Sequence, residues 1–511
     1  MDLIGIHAES NPDKVALIQA DRRLSWSQLF DRRNRLANAL SSLGFAKGDH
    51  AVIYALNSIE YLLSSAAARA VGGLSVPMNH RLTGEEVAYI LDDSDASAVF
   101  VGDEFLETIE PLRDRAAKVR LWILLGNERR DWAPHIDELV ATGDPDPTNA
   151  TPGLTEGLGG SMIYTAGTTG RPKGARRSNA DAQIALGWLQ TFDLADSSHI
   201  HLVAGPLYHS APAAFAGFTQ LAGGTCVLMP KFDPVEALRL IQDHRCTSTM
   251  MAPTLLKRIV DLPSEVRSRY DTSSMRVIVM AAAPCPMRVK EQVLEYFGPV
   301  LYEFYGSTEL GINTILRPED VLRKPGSCGK VPAGMEVAIF DDAGNRLPVG
   351  QPGELFVRRY ASVFDEYYKK PEATRETARG EWLSVGDIAY MDEEGFVYIC
   401  DRKRDLIISG GANIYPAEIE DVLHRHPAVL DAAVFGVPDE EWGERVHAAV
   451  QLRPSEDAAP EDLISFTRQH LAGYKVPREV TFHDDFPRDS AGKLVKRVLR
   501  DPYWEGRESK V

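Results

Sequence analysis

The sequence is sparing with cysteine. Five stand in 511 residues (Cys226, Cys246, Cys285, Cys328, Cys400), and no Cys-x-x-Cys pair occurs. That argues against a disulfide framework or a cysteine-built zinc site and suits a reducing compartment. Basic charge is also short: 56 Lys+Arg against 73 Asp+Glu leave a net charge of −17. A broad nucleic-acid surface is therefore not expected, and any bound anion must be held by local groups. No apolar run is long and clean enough to span a bilayer. The best, residues 61–78 (YLLSSAAARAVGGLSVPM), carries Arg69 and serines and reads as a buried helix followed by a strand. The start, MDLIGIHAES, lacks the apolar core of a signal peptide. The ending Ser509-Lys510-Val511 is one residue off the peroxisomal address and is taken as chance. The expected location is cytoplasmic. There is no internal repeat, no low-complexity tract and no G-x-S-x-G elbow.

What is present is an ordinary globular composition, 44% hydrophobic and 25% charged, long enough for several domains. Residues 24–44 predict an amphipathic helix stopped by Gly44. Residues 50–56, 97–102 and 275–283 predict short apolar strands. Such alternation predicts parallel-rich sheets with helices on their faces. Residues 131–153, rich in Asp, Pro, Thr and Gly, predict a loop. Residues 336–358 predict two antiparallel strands about an Asp-Ala-Gly-Asn turn. From the charged run 401–407 onward the pattern is a compact tail: helix 416–426, two strands, and helix 460–471. The expected fold is thus a large α/β N-terminal domain with a β module (1–403) and a small mobile α+β C-terminal domain (404–511), hinged near Arg404.

The segment 164–177, YTAGTTGRPKGARR, has the chemistry of an anion loop. It is not a nucleotide-binding P-loop: the position of the second glycine holds Pro172, and Gly174 stands where Ser or Thr is required. Gly167 and Gly170 free backbone N–H groups to point inward, Thr165, Thr168 and Thr169 add hydroxyls, and Lys173 adds a point charge. Pro172 disfavours helical geometry at Arg171, so the loop is expected to be a flap rather than a helix cap. A plain Gly/Thr surface turn is the alternative.

Four further clusters matter. In YGSTEL (305–310), Tyr305 can stack on a base, Thr308 can donate to a phosphate, and Glu309 can hold a magnesium already bound to phosphates. Alone, the segment reads equally as a strand-to-helix cap at Ser307 or Thr308. Asp387, after Gly386, can chelate a ribose diol or simply sit in a turn. Residues 401–420 supply Arg402 and the pair Gly410-Gly411, and residues 487–497 supply Lys493 just past a turn.

Taken in order, these clusters resemble the acyl-activating, adenylate-forming superfamily, which includes acyl-CoA synthetases, 4-coumarate–CoA ligases and firefly luciferase. The resemblance spans roughly residues 10–500. It implies that Thr165–Lys173 covers the β- and γ-phosphates and that Tyr305 and Gly306 stack on adenine beside Ala282 and Ala283. It implies further that Thr308 contacts the α-phosphate, Glu309 the magnesium, and Asp387 and Arg402 the ribose. Lys493 serves the first half-reaction, Arg404 the hinge, and Gly410 and Gly411 the path of pantetheine. His209 falls at the gate of the acyl pocket.

Three positions depart from the family pattern. Ala166 replaces the usual flap serine. Ala281-Ala282 replaces a small-Gly pair, so added methyl groups are expected at the pocket floor. Ile408 replaces the lysine of luciferase-like members, which argues for thioester formation over oxidation. Arg176 and Arg177 are read as solvated, with contact to a CoA phosphate as the lesser alternative. The expected activity is an ATP-, Mg2+- and CoA-dependent ligase for a hydrophobic acid: medium- or long-chain fatty, aryl or steroid-type. Loading of a carrier protein is the alternative acceptor, and the sequence leaves a homodimer open.

Overall fold

The computed structural model describes residues 2–147, 160–165, 172–178, 182–360, 363–403, 405–409, 412–439, 442–454, 456–488 and 494–505. Among them three sheets form, of fifteen, seven and five strands.

The seven-stranded sheet is parallel from Ser161–Thr165 through Leu74–Pro77, His50–Tyr54 and Ala96–Val101 to Leu121–Leu124. Its opposite edge is antiparallel: Ser161–Thr165 pairs Lys173–Arg177, with Thr165 opposite Lys173. The loop expected to be a flap therefore joins two strands of a hairpin. Helix Ile59–Ala70 feeds this sheet. Its N-terminus is set by Ser58, whose hydroxyl accepts the N–H of Tyr61 at 3.0 Å.

The largest sheet has a parallel centre (Val15–Gln19, Thr225–Leu228, Ile200–Val203, Ser248–Met251, Val277–Met280, Leu301–Ser307). Beyond Leu301–Ser307 it turns antiparallel. Val337–Phe340 pairs Gly353–Arg358 as expected, and Asp387–Met391 and Phe396–Arg402 join the same edge. The β module is thus hydrogen-bonded into the parallel sheet rather than set apart from it. Helix Trp26–Ser42 starts with a capping box between Ser25 and Gln28 and is followed by Gly44 at φ +88°.

Residues from Ile407 on build the third sheet (Ile407–Ser409, Ala412–Ile414, Val429–Asp439, Gly443–Leu452, Glu479–Phe482), with helices Pro416–His424 and Pro460–His470. Ile419, Leu423, Val434, Val450 and Leu463 form its own core.

Two local expectations fail. Residues 131–153 are not all loop, because Ile136–Thr142 is a helix with Ile136, Leu139 and Val140 buried. The spacing of these three apolar residues, and a box in which Glu138 Oε2 accepts the His135 N–H at 3.4 Å, outweigh the Asp- and Pro-rich composition. The segment YGSTEL does not open a helix. It is the turn of a hairpin between Leu301–Ser307 and Gly311–Leu316, and Ser307 Oγ accepts the N–H of Leu310 at 3.0 Å. Among the described residues no helix is long and apolar enough to cross a membrane.

Candidate active site

A cavity of about 2700 Å³ opens among the carboxyl ends of the parallel strands and the residues after Phe396, the usual place for a ligand in open α/β sheets. One wall is polar. Thr165, Lys173, Thr308, Glu309, Asp387 and Arg402 all line it, so residues far apart in sequence meet in one place.

Glu309 is 7% exposed. Its Oε1 accepts the Tyr367 hydroxyl at 2.7 Å and the Thr165 hydroxyl at 3.3 Å. Burial and the neighbouring Glu309 charge raise the pKa of Tyr367, so that phenol stays a donor. Among the described residues this carboxylate is held by hydroxyls, which leaves a hard oxygen ligand that suits a magnesium ion arriving with phosphates. Thr308 Oγ1 lies 3.1 Å from Ser210 Oγ, and the Lys173 ammonium rests 5.3 Å from the centre of the Tyr367 ring.

Arg177 overturns its reading as a solvated charge. Its Nη2 donates to the carbonyl of Thr308 at 2.8 Å, across 131 residues. Burial lowers its pKa, while Tyr360, Glu309 and Asp365 favour the cation. It props the Thr308–Glu309 turn from behind. Arg176 is half-exposed and pairs with Glu366 at 3.3 Å.

A second part of the polar wall is built around Tyr305. Its hydroxyl donates to Asp387 Oδ2 at 2.6 Å, and Arg402 Nε lies 3.4 Å from Asp387 Oδ1. Burial first, then the Asp387 charge, raises the Tyr305 pKa well above its ordinary value. Asp387 and Arg402 face each other across paired strands, which fixes their spacing. Gly306 is required sterically, since a Cβ there would lie 2.0 Å from the carbonyl oxygen of Gly311. Ala282 and Ala283 line the cavity, and Ala282 adopts φ +80°, a left-handed conformation that glycine accepts more readily. Beneath them lies a buried ion pair between Lys290 and Glu303 that sequence reasoning missed. Glu303 lies two residues before Tyr305 and also lines the cavity.

The other wall is apolar, with Ala185, Trp188, Ala211, Ala214, Phe215 and Phe218 along it. His209 caps helix Ser210–Leu221 and lines the cavity, its ring 4.3 Å from that of Tyr208. Ala281 is placed differently from expectation. Its side chain is buried in the core behind the wall, and Ala282 is the residue at the surface of the cavity.

Gly167, Thr168, Thr169, Gly170, Arg404, Gly410, Gly411 and Lys493, with Ala166, lie outside the described residues. Their described neighbours border the cavity or flank it. Leu494 lines it. Lys403 reaches Asp342 at 2.6 Å and Glu354 at 3.1 Å. Ile408 is exposed. Sequence reasoning also missed a buried cluster just past Phe396–Arg402. Lys496 Nζ pairs with Glu420 at 2.7 Å, and Asp401 Oδ2 accepts the N–H of Ala417 at 3.0 Å. Burial raises the Asp401 pKa. Burial opposes the Lys496 charge, but Glu420 and Asp401 outweigh it and hold the pKa above the usual lysine value.

The arrangement joins a polar wall of hydroxyl, carboxylate and cationic groups to an apolar chamber. The comparisons with known proteins identify the family. The model described as AMP-binding enzyme matches residues 6–368, and that described as AMP-binding enzyme C-terminal domain matches residues 418–493. A fatty acid–[acyl-carrier-protein] ligase of Streptomyces coeruleorubidus is 34% identical over 518 residues, covering 99% of this chain and 96% of its own. A long-chain fatty acid–CoA ligase of Mycobacterium tuberculosis is 33% identical over 491 residues, 94% of each chain. Among solved structures, ATP-bound MatB from Rhodopseudomonas palustris aligns with a TM-score of 0.88 at 29% identity over 99% of both chains.

Proposed function

The chain belongs to the AMP-binding enzyme family, and on that premise we propose that it is an ATP-dependent acid–thiol ligase, forming acyl-AMP and then acyl-CoA from a hydrophobic carboxylic acid. The observation that carries this reading is the single cavity, with Thr165, Thr308, Glu309, Tyr305 and Asp387 on one wall and small and aromatic side chains on the other. The apolar wall favours fatty, aryl or ring-bearing acids.

In the first half-reaction an oxygen of the substrate carboxylate attacks the α-phosphorus of MgATP, the bond to the β-phosphate oxygen breaks, and pyrophosphate leaves. Glu309 would hold a magnesium ion arriving with the phosphates, which would supply charge neutralisation for the leaving group. Thr308 donates toward the α-phosphate, and the flap 165–173 encloses the departing phosphates. Tyr305 and Asp387 hold the nucleoside in place. Lys493 is assigned to stand between carboxylate and α-phosphate, where negative charge develops. Opposite charges ~4 Å apart are worth about 1 kcal/mol in water and about 4 kcal/mol at an effective dielectric near 20, so excluding water matters. In the second half-reaction a thiolate attacks the acyl carbon and AMP leaves. We assign the change of task to rotation of residues 404–511 about Arg404, which withdraws Lys493 and brings Gly410 and Gly411 to the thiol path.

The test is pyrophosphate release from MgATP across fatty, aryl and steroid-type acids, with and without CoA. Acid-dependent release that CoA accelerates supports the reading. ADP in place of AMP, or no release with any acid, sinks it. Lys493→Ala is expected to cripple adenylation and to spare thioester formation from supplied acyl-AMP. A carrier protein as acceptor is the second reading, favoured by the Streptomyces relative that acts on one. Acyl transfer to a carrier protein in preference to CoA would select it.

A further inference from the structure

The cavity has a cation that the reaction above does not use. Arg69 lies in the last turn of helix Ile59–Ala70 and lines the cavity. Its Nη1 donates to Ser65 Oγ at 2.8 Å, and Ser65 in turn donates to Ser75 Oγ at 3.1 Å. Among the described residues no other hydrogen bond and no ion pair engages its guanidinium, so four of its five N–H donors have no partner there. Position within the last helical turn favours a cation but satisfies none of those donors.

The surroundings sharpen the anomaly. Arg33, another arginine on the same cavity, is 2% exposed at its side chain and is answered by both carboxylate oxygens of Asp2, at 2.7 and 2.8 Å. Glu60, on the same helix as Arg69, is taken by Arg22. Glu86 also lines the cavity but caps its own helix through Thr83 at 2.8 Å. Arg69 is deep enough that burial lowers its pKa, yet its side chain is only half-buried, and the accessible part is the cavity surface. Interior guanidinium groups are ordinarily matched by an acid.

A second unmatched donor stands on the same helix. Tyr61, two helical turns before Arg69, is 4% exposed and lines the cavity, and among the described residues its buried hydroxyl has no partner. Arg69 favours the ionised form of the Tyr61 phenol, and Tyr208 opposes it. The Tyr208 ring lies tilted against that of His209, which lines the same cavity. The unmatched donors thus lie on the acyl side of the cavity. They are remote from the phosphate corner: Ser75 pairs with Ser161, four residues and about 13 Å along the strand from Thr165.

We propose that Arg69 and Tyr61 form a subsite for a second carboxylate on the acyl substrate, so that the preferred acids carry an anionic group away from the carboxyl that is activated. This rests on the ligase reading above. An incoming carboxylate would take bidentate N–H donors from Arg69 and the Tyr61 hydroxyl, supplying the counter-ion the fold omits. A monocarboxylic acid of equal length would leave those donors unanswered while displacing their water, which is how a polar site rejects an apolar analogue.

The experiment compares α,ω-dicarboxylic acids with monocarboxylic acids of the same chain length in the pyrophosphate assay. It uses wild type, Arg69→Met and Arg69→Lys. Wild type is expected to favour the dicarboxylic series by on the order of 10- to 100-fold in kcat/KM. Arg69→Met should bring that ratio near one by losing the dicarboxylates alone, and Arg69→Lys should restore most of it. Equal use of both series by wild type, or equal loss of both in Arg69→Met, overturns the subsite and leaves the ligase intact. A rise in KM for CoA in Arg69→Met with unchanged acid preference also overturns it, assigning Arg69 to a CoA phosphate instead. If neither series releases pyrophosphate, the ligase reading falls. Calorimetric titration of a dicarboxylate into the nucleotide-free protein then decides the subsite alone: binding weakened in Arg69→Met and kept in Arg69→Lys supports it, and no difference overturns it.

Discussion

Two glutamates, Glu309 and Glu420, face the same cavity from the two ends of the fold, and they are held in opposite ways. Among the described residues Glu309 receives hydroxyls, from Tyr367 and Thr165. Glu420 receives the Lys496 ammonium and the N–H of Val434 at 2.6 Å. A hydroxyl satisfies a lone pair without cancelling the charge; an ammonium cancels it. Glu309 therefore keeps a negative charge to offer a cation, and Arg177, which feels that charge, directs a donor to the Thr308 carbonyl. Glu420 has its charge already answered and acts to hold helix Pro416–His424 to the residues around Lys496. The chemistry of the partners thus separates a carboxylate left open to a cation from one that serves as a brace.

Neutralising each glutamate tests that distinction most severely. Glu309→Gln keeps the shape and removes the charge. Pyrophosphate release should fall about 100-fold or more, with a raised requirement for magnesium. Glu420→Gln should leave the chemical step within a few-fold of wild type. Equal losses in the two variants would break the comparison.

The next largest effect reverses the roles. Lys496→Met leaves Glu420 and Asp401 buried without their cation and should cost about 3 kcal/mol of stability toward urea. Adding Glu420→Gln should recover much of that loss, and the double-mutant cycle reads the coupling directly. The raised Lys496 pKa sets the pH window. The stabilisation is fully present below the ordinary lysine value of 10.5 and is lost as pH rises through the higher folded value. A smaller effect is expected at Ala282. Replacing it with glycine relieves the left-handed backbone at φ +80°, but glycine also loosens the unfolded chain, and the net gain should be about 1 kcal/mol at most with adenylation retained.

The same contrast explains what could be read from the sequence. Tyr305, Thr308, Glu309 and Asp387 sit in short ordered motifs whose residue types announce their chemistry, and the structure brings them to one wall. The braces were invisible because each depends on a partner remote in sequence. Arg177 reaches Thr308 across 131 residues, Lys496 meets Glu420, and Lys290 meets Glu303 after a helix and a turn. A lone Lys or Arg on a short charged run reads as solvated until its partner is placed. The alternation of strands and helices was legible for a different reason, since it is carried by local periodicity. It failed at Ile136–Thr142, where Asp and Pro on both sides masked a single amphipathic turn, and at YGSTEL, where a cap signal served a hairpin.

The smallest predicted effect separates the two ends of the molecule by pH. In the C-terminal unit, His424 Nε2 lies 3.0 Å from Asp431 Oδ1, and Arg488 also reaches Asp431. Burial works against the imidazolium, but Asp431 and Glu420 prevail and raise the His424 pKa above its ordinary 6.5. The stabilisation is therefore complete below pH 6.5 and declines as pH rises through the folded value. Asp431, whose pKa is lowered through His424 and Arg488 against the cost of burial, keeps its share above pH 3.8 and loses it only on further acidification. Stability toward urea should thus fall between pH 6 and pH 8.5 by about 0.5 kcal/mol, the scale of a partly exposed pair. His424→Gln should flatten that slope and leave the pH profile of adenylation unchanged. A slope that persists in His424→Gln would move the titration elsewhere. A shift in the adenylation profile would tie the C-terminal brace to the chemistry at Glu309 and erase the division between the two glutamates.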